Sequence, residues 1–89
     1  MKAIVTVVGK DRVGIIAGVC TKLASYNINV LDISQTVMQG YFTMSMVTDI
    51  EQATLPLAEL AAQMEAAGNE MGMSIRIQRA DIFDAMHRI

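Results

Sequence analysis

The hexapeptide Gly9-Lys10-Asp11-Arg12-Val13-Gly14 joins an apolar run, Ala3 to Val8, to an apolar helical pattern beginning at Ile15. Asn27-Ile28-Asn29 closes that helix ahead of the next strand. A strand that passes into a helix through a glycine-bearing loop leaves backbone N–H groups aimed at whatever docks there, and such groups favour an anion. The asparagine amides add neutral donors and acceptors. This chemistry holds a small ligand and does not transform one: an anionic group would accept from the helix-terminal N–H groups, with Asn29 and Asp11 left to meet the ligand's other polar atoms. The plainer reading of the same residues is a well-made turn, with Asp11 capping the helix and Gly14 allowing close helix–sheet packing. Asn27 suits a left-handed helix end. Asn29, one step before the second strand, is placed to turn its amide toward the first loop.

No catalytic constellation can be assembled around these residues. The chain has one histidine, His87, and scattered acids, so Ser-His-Asp, Cys-His and paired-carboxylate arrangements are absent. Arg76, Arg79 and Arg88, with His87, would suit an acidic ligand, but arginines late in a chain like this more often solvate an edge. The eight methionines offer soft sulfur ligands. Their placement, Met64 and Met71 on a helical stripe and Met44 and Met46 on one strand face, instead describes an adaptable core or interface. No metal or cofactor is expected, and the chain reads as a non-enzyme.

Bulk composition narrows the partners. Eighty-nine residues form a single domain near the lower size limit for a self-sufficient core, a size at which a partner subunit helps. With 53% hydrophobic but only 4% aromatic residues, aliphatic side chains and methionine must fill the interior, with both sheet faces covered. A net charge of −2 gives no grip on phosphate backbones or anionic membranes, so nucleic acid and membrane are excluded as partners. Cys20 is the only cysteine and reads as a small buried hydrophobe. With no apolar run of membrane-spanning length and no long apolar N-terminal stretch, a cytoplasmic location is expected.

The elements that must position the loop follow from periodicity. Lys2 to Val8 is apolar on both faces, as in a central strand. From Val13 to Tyr26, Ile16, Val19, Cys20 and Leu23 line one side of a helix. Val30 to Met38 alternates, with Leu31, Ile33 and Val37 on one face; Gln39-Gly40 turns; Tyr41 to Ile50 alternates again, with Phe42, Met44, Met46 and Ile50 inward. Thr54-Leu55-Pro56 starts a second helix whose stripe is Leu57, Leu60, Ala61, Met64, Gly68 and Met71, and Gly72 stops it. Met73 to Arg79 is a last strand with Met73, Ile75 and Ile77 inward. In the remaining residues Ile82, Met86 and Ile89 are spaced for one face of a short helix capped by Asp81.

The expected fold is α+β: a ferredoxin-like βαββαβ two-layer sandwich, with a four-stranded antiparallel sheet, both helices on one face and a short C-terminal helix. The first and third strands lie centrally. The opposite sheet face and two strand edges are left in need of cover, which self-association supplies.

The residues Val5 to Ile16, the helix to Leu23, Asn27-Ile28-Asn29-Val30-Leu31-Asp32-Ile33 and the later helix and strand resemble an ACT domain, a small regulatory module that binds amino acids beside metabolic enzymes. More narrowly the chain is similar to single-domain ACT proteins, whose last residues look like its Asp81-to-Ile89 tail. Val13 stands where the family often has proline. The resemblance implies an ACT-like domain over 1–79 and a helical tail over 80–89. It also implies a ligand site lined by Asp11, Arg12, Val13 and Gly14 with Asn29, to which the helix-closing Asn27 is added. The function expected is amino-acid sensing at a homodimer interface, between the first loop of one subunit and the second-strand region of the other, acting on a metabolic enzyme or regulator in trans. The alternative is a protein–protein assembly subunit with no small ligand. An acylphosphatase-like catalyst, for which Arg12 is a superficial match, and RNA binding, for which Tyr41 and Phe42 stand alone, are weaker.

Overall fold

The computed structural model describes residues 1–81, in the order β1 (Lys2–Lys10), α1 (Ile15–Ser25), β2 (Asn29–Met38), β3 (Tyr41–Asp49), α2 (Leu57–Met71) and β4 (Met73–Arg79). The four strands form one antiparallel sheet in the order β2-β3-β1-β4. The ferredoxin-like architecture and the central placement of the first and third strands are therefore as expected. The short C-terminal helix and the tail beyond Asp81 lie outside the described residues.

Alternation builds the core. Ala3, Val5 and Val7 of β1, Phe42, Met44 and Met46 of β3, and Met73, Ile75 and Ile77 of β4 are buried on the helix-covered face, against Leu60 and Met64 of α2. Thr48 is the one buried polar residue among those described, and its hydroxyl donates to the Ala3 carbonyl at 2.9 Å. The methionines of β3 and α2 are thus packing residues, filling a core that has few rings. The expectation that both sheet faces are covered does not hold in the single chain. Lys2, Val8 and Lys10 of β1 are exposed on the far side, with Ile4 and Thr6 half-buried there. Composition reports how much apolar surface must be buried, not whether one chain does it.

Helix α1 begins two residues later than the pattern suggested and packs on a different line. Gly14, at φ 89°, is its N-cap, and Ile15, Val19 and Leu23 are the buried stripe. Ile16 is 37% exposed and Cys20 is half-buried. Asn27 adopts φ 61° just past the helix end, as expected of a left-handed cap. The β2–β3 turn places both Gln39 (φ 51°) and Gly40 (φ 81°) in the left-handed region, the geometry that matches strand twist in a two-residue hairpin.

Helix α2 starts at Leu57, with Pro56 as its N-cap in extended geometry, so Thr54 and Leu55 precede the helix. Its buried line is Leu60, Met64 and Gly68. Gly68 is required by close approach: a Cβ there would lie 2.6 Å from the Met73 carbonyl oxygen. Gly72, at φ 71°, ends the helix and lets β4 start one residue later.

Strand β2 departs furthest from expectation. The apolar face that alternation gives to Leu31, Ile33 and Val37 is not covered: these residues are 47%, 42% and 54% exposed. A register shift between Val30 and Asp32 puts Leu31 at a bulge, after which Ile33 and Val37 stand opposite Met46 and Phe42. They share the face of the core but sit on the outer edge strand, where they stay exposed.

Candidate functional site

The loop between β1 and α1 is held at three points. The Asp11 N–H donates to the Gly40 carbonyl at 2.8 Å, Arg12 Nη1 donates to the Met71 carbonyl at 2.8 Å, and Gly14 takes the left-handed conformation that turns the chain into α1. No side chain caps α1. The reading of Asp11 as the helix cap is therefore corrected, because the cap position belongs to Gly14, three residues on. With Gly14 as cap, the N–H groups of the first turn, from Ile15 to Ala17, have no partner within the helix.

These amides face a concavity of about 260 Å³ lined by Asp11, Arg12, Gly14, Ile15, Ile16, Ala17 and Phe42. Nothing lies within 4 Å of a Cβ built on Gly14. The corner is open, with uncapped amides on one wall and the apolar Ile16 and Phe42 on others, which fits a small anion-bearing ligand. Val13 is fully exposed at the tip of the loop.

The asparagines do not join this site within one chain. Asn29 pairs with Asp49, which pairs with Lys2, whereas Lys10 at the loop pairs with Tyr41. Eight strand positions separate the two ends, about 27 Å. An amide on Asn29 cannot reach the loop of its own chain, so that expectation is corrected. Asn27 shares this far end, and its Nδ2 donates to the Gln52 carbonyl at 2.9 Å. It fastens the helix end to the β3–α2 connection.

Of the other polar candidates, Arg88 and His87 lie outside the described residues. Arg79 forms a two-point pair with Asp81, with Nη2 to Oδ2 at 2.6 Å. Arg76 lines a concavity of about 550 Å³ between α2 and β4, together with Glu65. That groove lies along β4, and its opposite charges give it no net preference for an acid. Among the described residues no three His, Cys, Asp or Glu side chains gather as a metal site would, and no helix is long and apolar enough to cross a membrane.

The uncovered β2 edge continues onto α1. Gly18 of α1 faces Met71 of α2, a Cβ on it lying 3.1 Å from Met71 Cε. Ile16, two residues earlier, lies about 160° round the helix from Gly18 and so faces away from α2. Since α2 lies over the β4 side of the sheet, Ile16 and Cys20 border the uncovered edge that carries Ile33 and Val37. The signal in sequence was charge: from Asn29 to Met38 the only ionisable side chain is Asp32, whereas β4 carries Arg76 and Arg79.

The chain as a whole is similar to known proteins. A family model described as the ACT domain matches residues 2–78. A UPF0237 protein of Listeria monocytogenes is 52% identical over 89 residues, covering all of both chains. Among solved structures, an ACT domain protein from Streptococcus pneumoniae superposes with a TM-score of 0.83 at 47% identity, covering 93% of each chain. A formyltetrahydrofolate deformylase from Pseudomonas syringae superposes with a TM-score of 0.79 at 26% identity, over 88% of this chain and 27% of the enzyme.

Proposed function

We propose, on the premise that this chain belongs to the ACT-domain family, that it is a regulatory module that senses an amino acid at a homodimer interface. The observation that carries this reading is the β2 edge. It is unpaired, exposes Leu31, Ile33 and Val37, and has one charge in ten residues, while the other edge strand holds two arginines. Edges are normally protected by charge, so β2 is the edge left free to pair.

A two-fold partner pairing antiparallel along β2 has a further consequence. The start of its β2 lies beside the end of the first, at Met38, and Met38 shares its end of the sheet with Tyr41, Lys10 and the loop. Asn29 of one copy is thereby carried to the open corner of the other. The site that a single chain splits between its two ends is completed across the dimer: amides of Ile15 to Ala17 for a carboxylate, and the Asn29 amide from the second copy for the ammonium group.

Such a ligand binds the dimer and not the monomer, so occupancy strengthens association. At a ligand concentration a hundred times Kd each site adds about 2.7 kcal/mol to the assembled form. The dimer is then the signal, read in trans by an enzyme or regulator. The deformylase supports this reading, because there a unit of this fold makes up 27% of an enzyme chain.

The test is isothermal titration of the chain with each of the common amino acids, paired with sedimentation velocity. One amino acid should bind at one equivalent per chain and raise the dimer fraction. No response from any of them, with the dimer intact, would instead favour an assembly subunit that takes no small ligand.

A further inference from the structure

We propose that Arg12 is a relay between the β1–α1 loop and the α2–β4 junction, a positioning residue that carries ligand occupancy from one half of the molecule to the other. The inference rests on the reading of the loop as the ligand site and deepens it.

Helix α2 ends with no basic residue in its last turn. The carbonyls of such a turn lack helical partners and form the negative end of the helix dipole, so they attract a cation. Arg12 supplies it from 59 residues away in sequence, through Nη1 to the Met71 carbonyl at 2.8 Å. The next residue, Gly72, lies against the same guanidinium, with its Cβ position 3.9 Å from Nη1. A residue of the first loop thus completes the end of the second helix.

The same side chain also lines the concavity at the loop. A guanidinium presents five N–H donors in a rigid plane, and a carboxylate takes two of them side by side. The bond to Met71 uses Nη1 and leaves other donors for a ligand. Because the fork is planar, a carboxylate that fixes one side of it fixes the other. A bound zwitterion therefore tightens the cap on α2 without touching it.

A second tie runs in parallel, since the Met71 side chain packs over Gly18 of α1. Beyond Met71 the chain passes through Gly72 into Met73 and Ser74, which line the groove between α2 and β4. Order imposed on Arg12 arrives there, at the side of the sheet away from the β2 edge.

Amide hydrogen exchange on the full chain tests the relay, with glycine as probe because it carries only the carboxylate and ammonium group common to all amino acids. In the wild type, glycine should slow exchange at least fivefold both at Ile15 to Ala17 and at Met71 to Met73. In Arg12→Ala the ligand-free exchange at Met71 to Met73 should rise at least fivefold, and glycine should slow only the loop amides. Arg12→Lys, which restores the charge but not the planar fork, should recover the ligand-free protection and not the response to glycine. Slowing confined to the loop in the wild type overturns the relay. Wild-type responses that persist unchanged in Arg12→Ala overturn it too. Glycine that slows neither region refutes the loop as a zwitterion site, and the relay falls with it.

Discussion

Replacing Ile33 by alanine isolates the contribution of the β2 edge to self-association. Ile33 is 42% exposed in the single chain, on the core-side face of an edge strand opposite Met46. Full burial of an isoleucine side chain is worth about 1.5–3 kcal/mol, so covering the exposed part contributes about 0.6–1.3 kcal/mol per copy. Two-fold symmetry uses the position twice, giving about 1.3–2.5 kcal/mol for the dimer, or about 8- to 60-fold in its dissociation constant at 1.4 kcal/mol per decade. Sedimentation equilibrium over a wide concentration range measures that constant, and urea unfolding at a concentration where both proteins are monomeric separates any loss of intrinsic stability. A parallel Arg76→Ala substitution on the other edge should leave the constant within threefold. A wild-type dimer whose constant is unmoved by Ile33→Ala would refute β2 as the pairing edge.

Two further substitutions test the framework that positions the site. Gly68→Ala places a methyl group 2.6 Å from the Met73 carbonyl and 3.0 Å from Ile75 Cγ1, and overpacking of this kind costs about 1–3 kcal/mol; a lowered urea midpoint with an unchanged m-value is expected. Asn27→Ala forces a Cβ-bearing residue without a local amide to hold φ 61° and removes the bond to Gln52, a loss of about 1–2 kcal/mol by the left-handed strain alone. Asn27→Gly, which relieves the strain and keeps the loss of the bond, should recover part of it in thermal unfolding.

Much of the architecture was legible because the elements are marked by strong periodicity and by glycines at their ends. Met73, Ile75 and Ile77 alternate into the core as expected, and Gly72 stops α2 where its left-handed geometry allows. The errors come from choices that periodicity leaves degenerate. Ile16-Val19-Leu23 and Ile15-Val19-Leu23 both satisfy helical spacing, and only the seat of α1 on the sheet selects the second. The alternation in β2 was real, but alternation shows which residues share a face and not whether anything covers it.

The site was legible in one half. Gly14 could be identified because a strand, a glycine and a helix follow one another directly in sequence. Asn29 was identified as a residue type but misplaced, since closeness in sequence to the end of α1 puts it at the wrong end of the sheet for its own chain. The bond from Arg12 to Met71 spans nearly the whole domain and leaves no local trace. Long-range placement of this kind is set by topology, and short motifs do not encode it.

Mixing two defective chains tests the composite site most directly. Gly14→Leu obstructs the loop corner, and its Cβ meets no neighbour within 4 Å, so its main penalty is the left-handed strain of about 1–2 kcal/mol. Asn29→Ala removes the contribution from the other side. Each variant alone should lose binding of the amino acid found by titration, because every site in either homodimer contains one defect. Unfolded together and refolded as heterodimers, the two chains place both lesions in one site and leave the other intact, so half of the sites should return with the affinity of the wild type. Heterodimers that form but recover no binding, or an Asn29→Ala homodimer that binds as the wild type does, would contradict a ligand held between two copies.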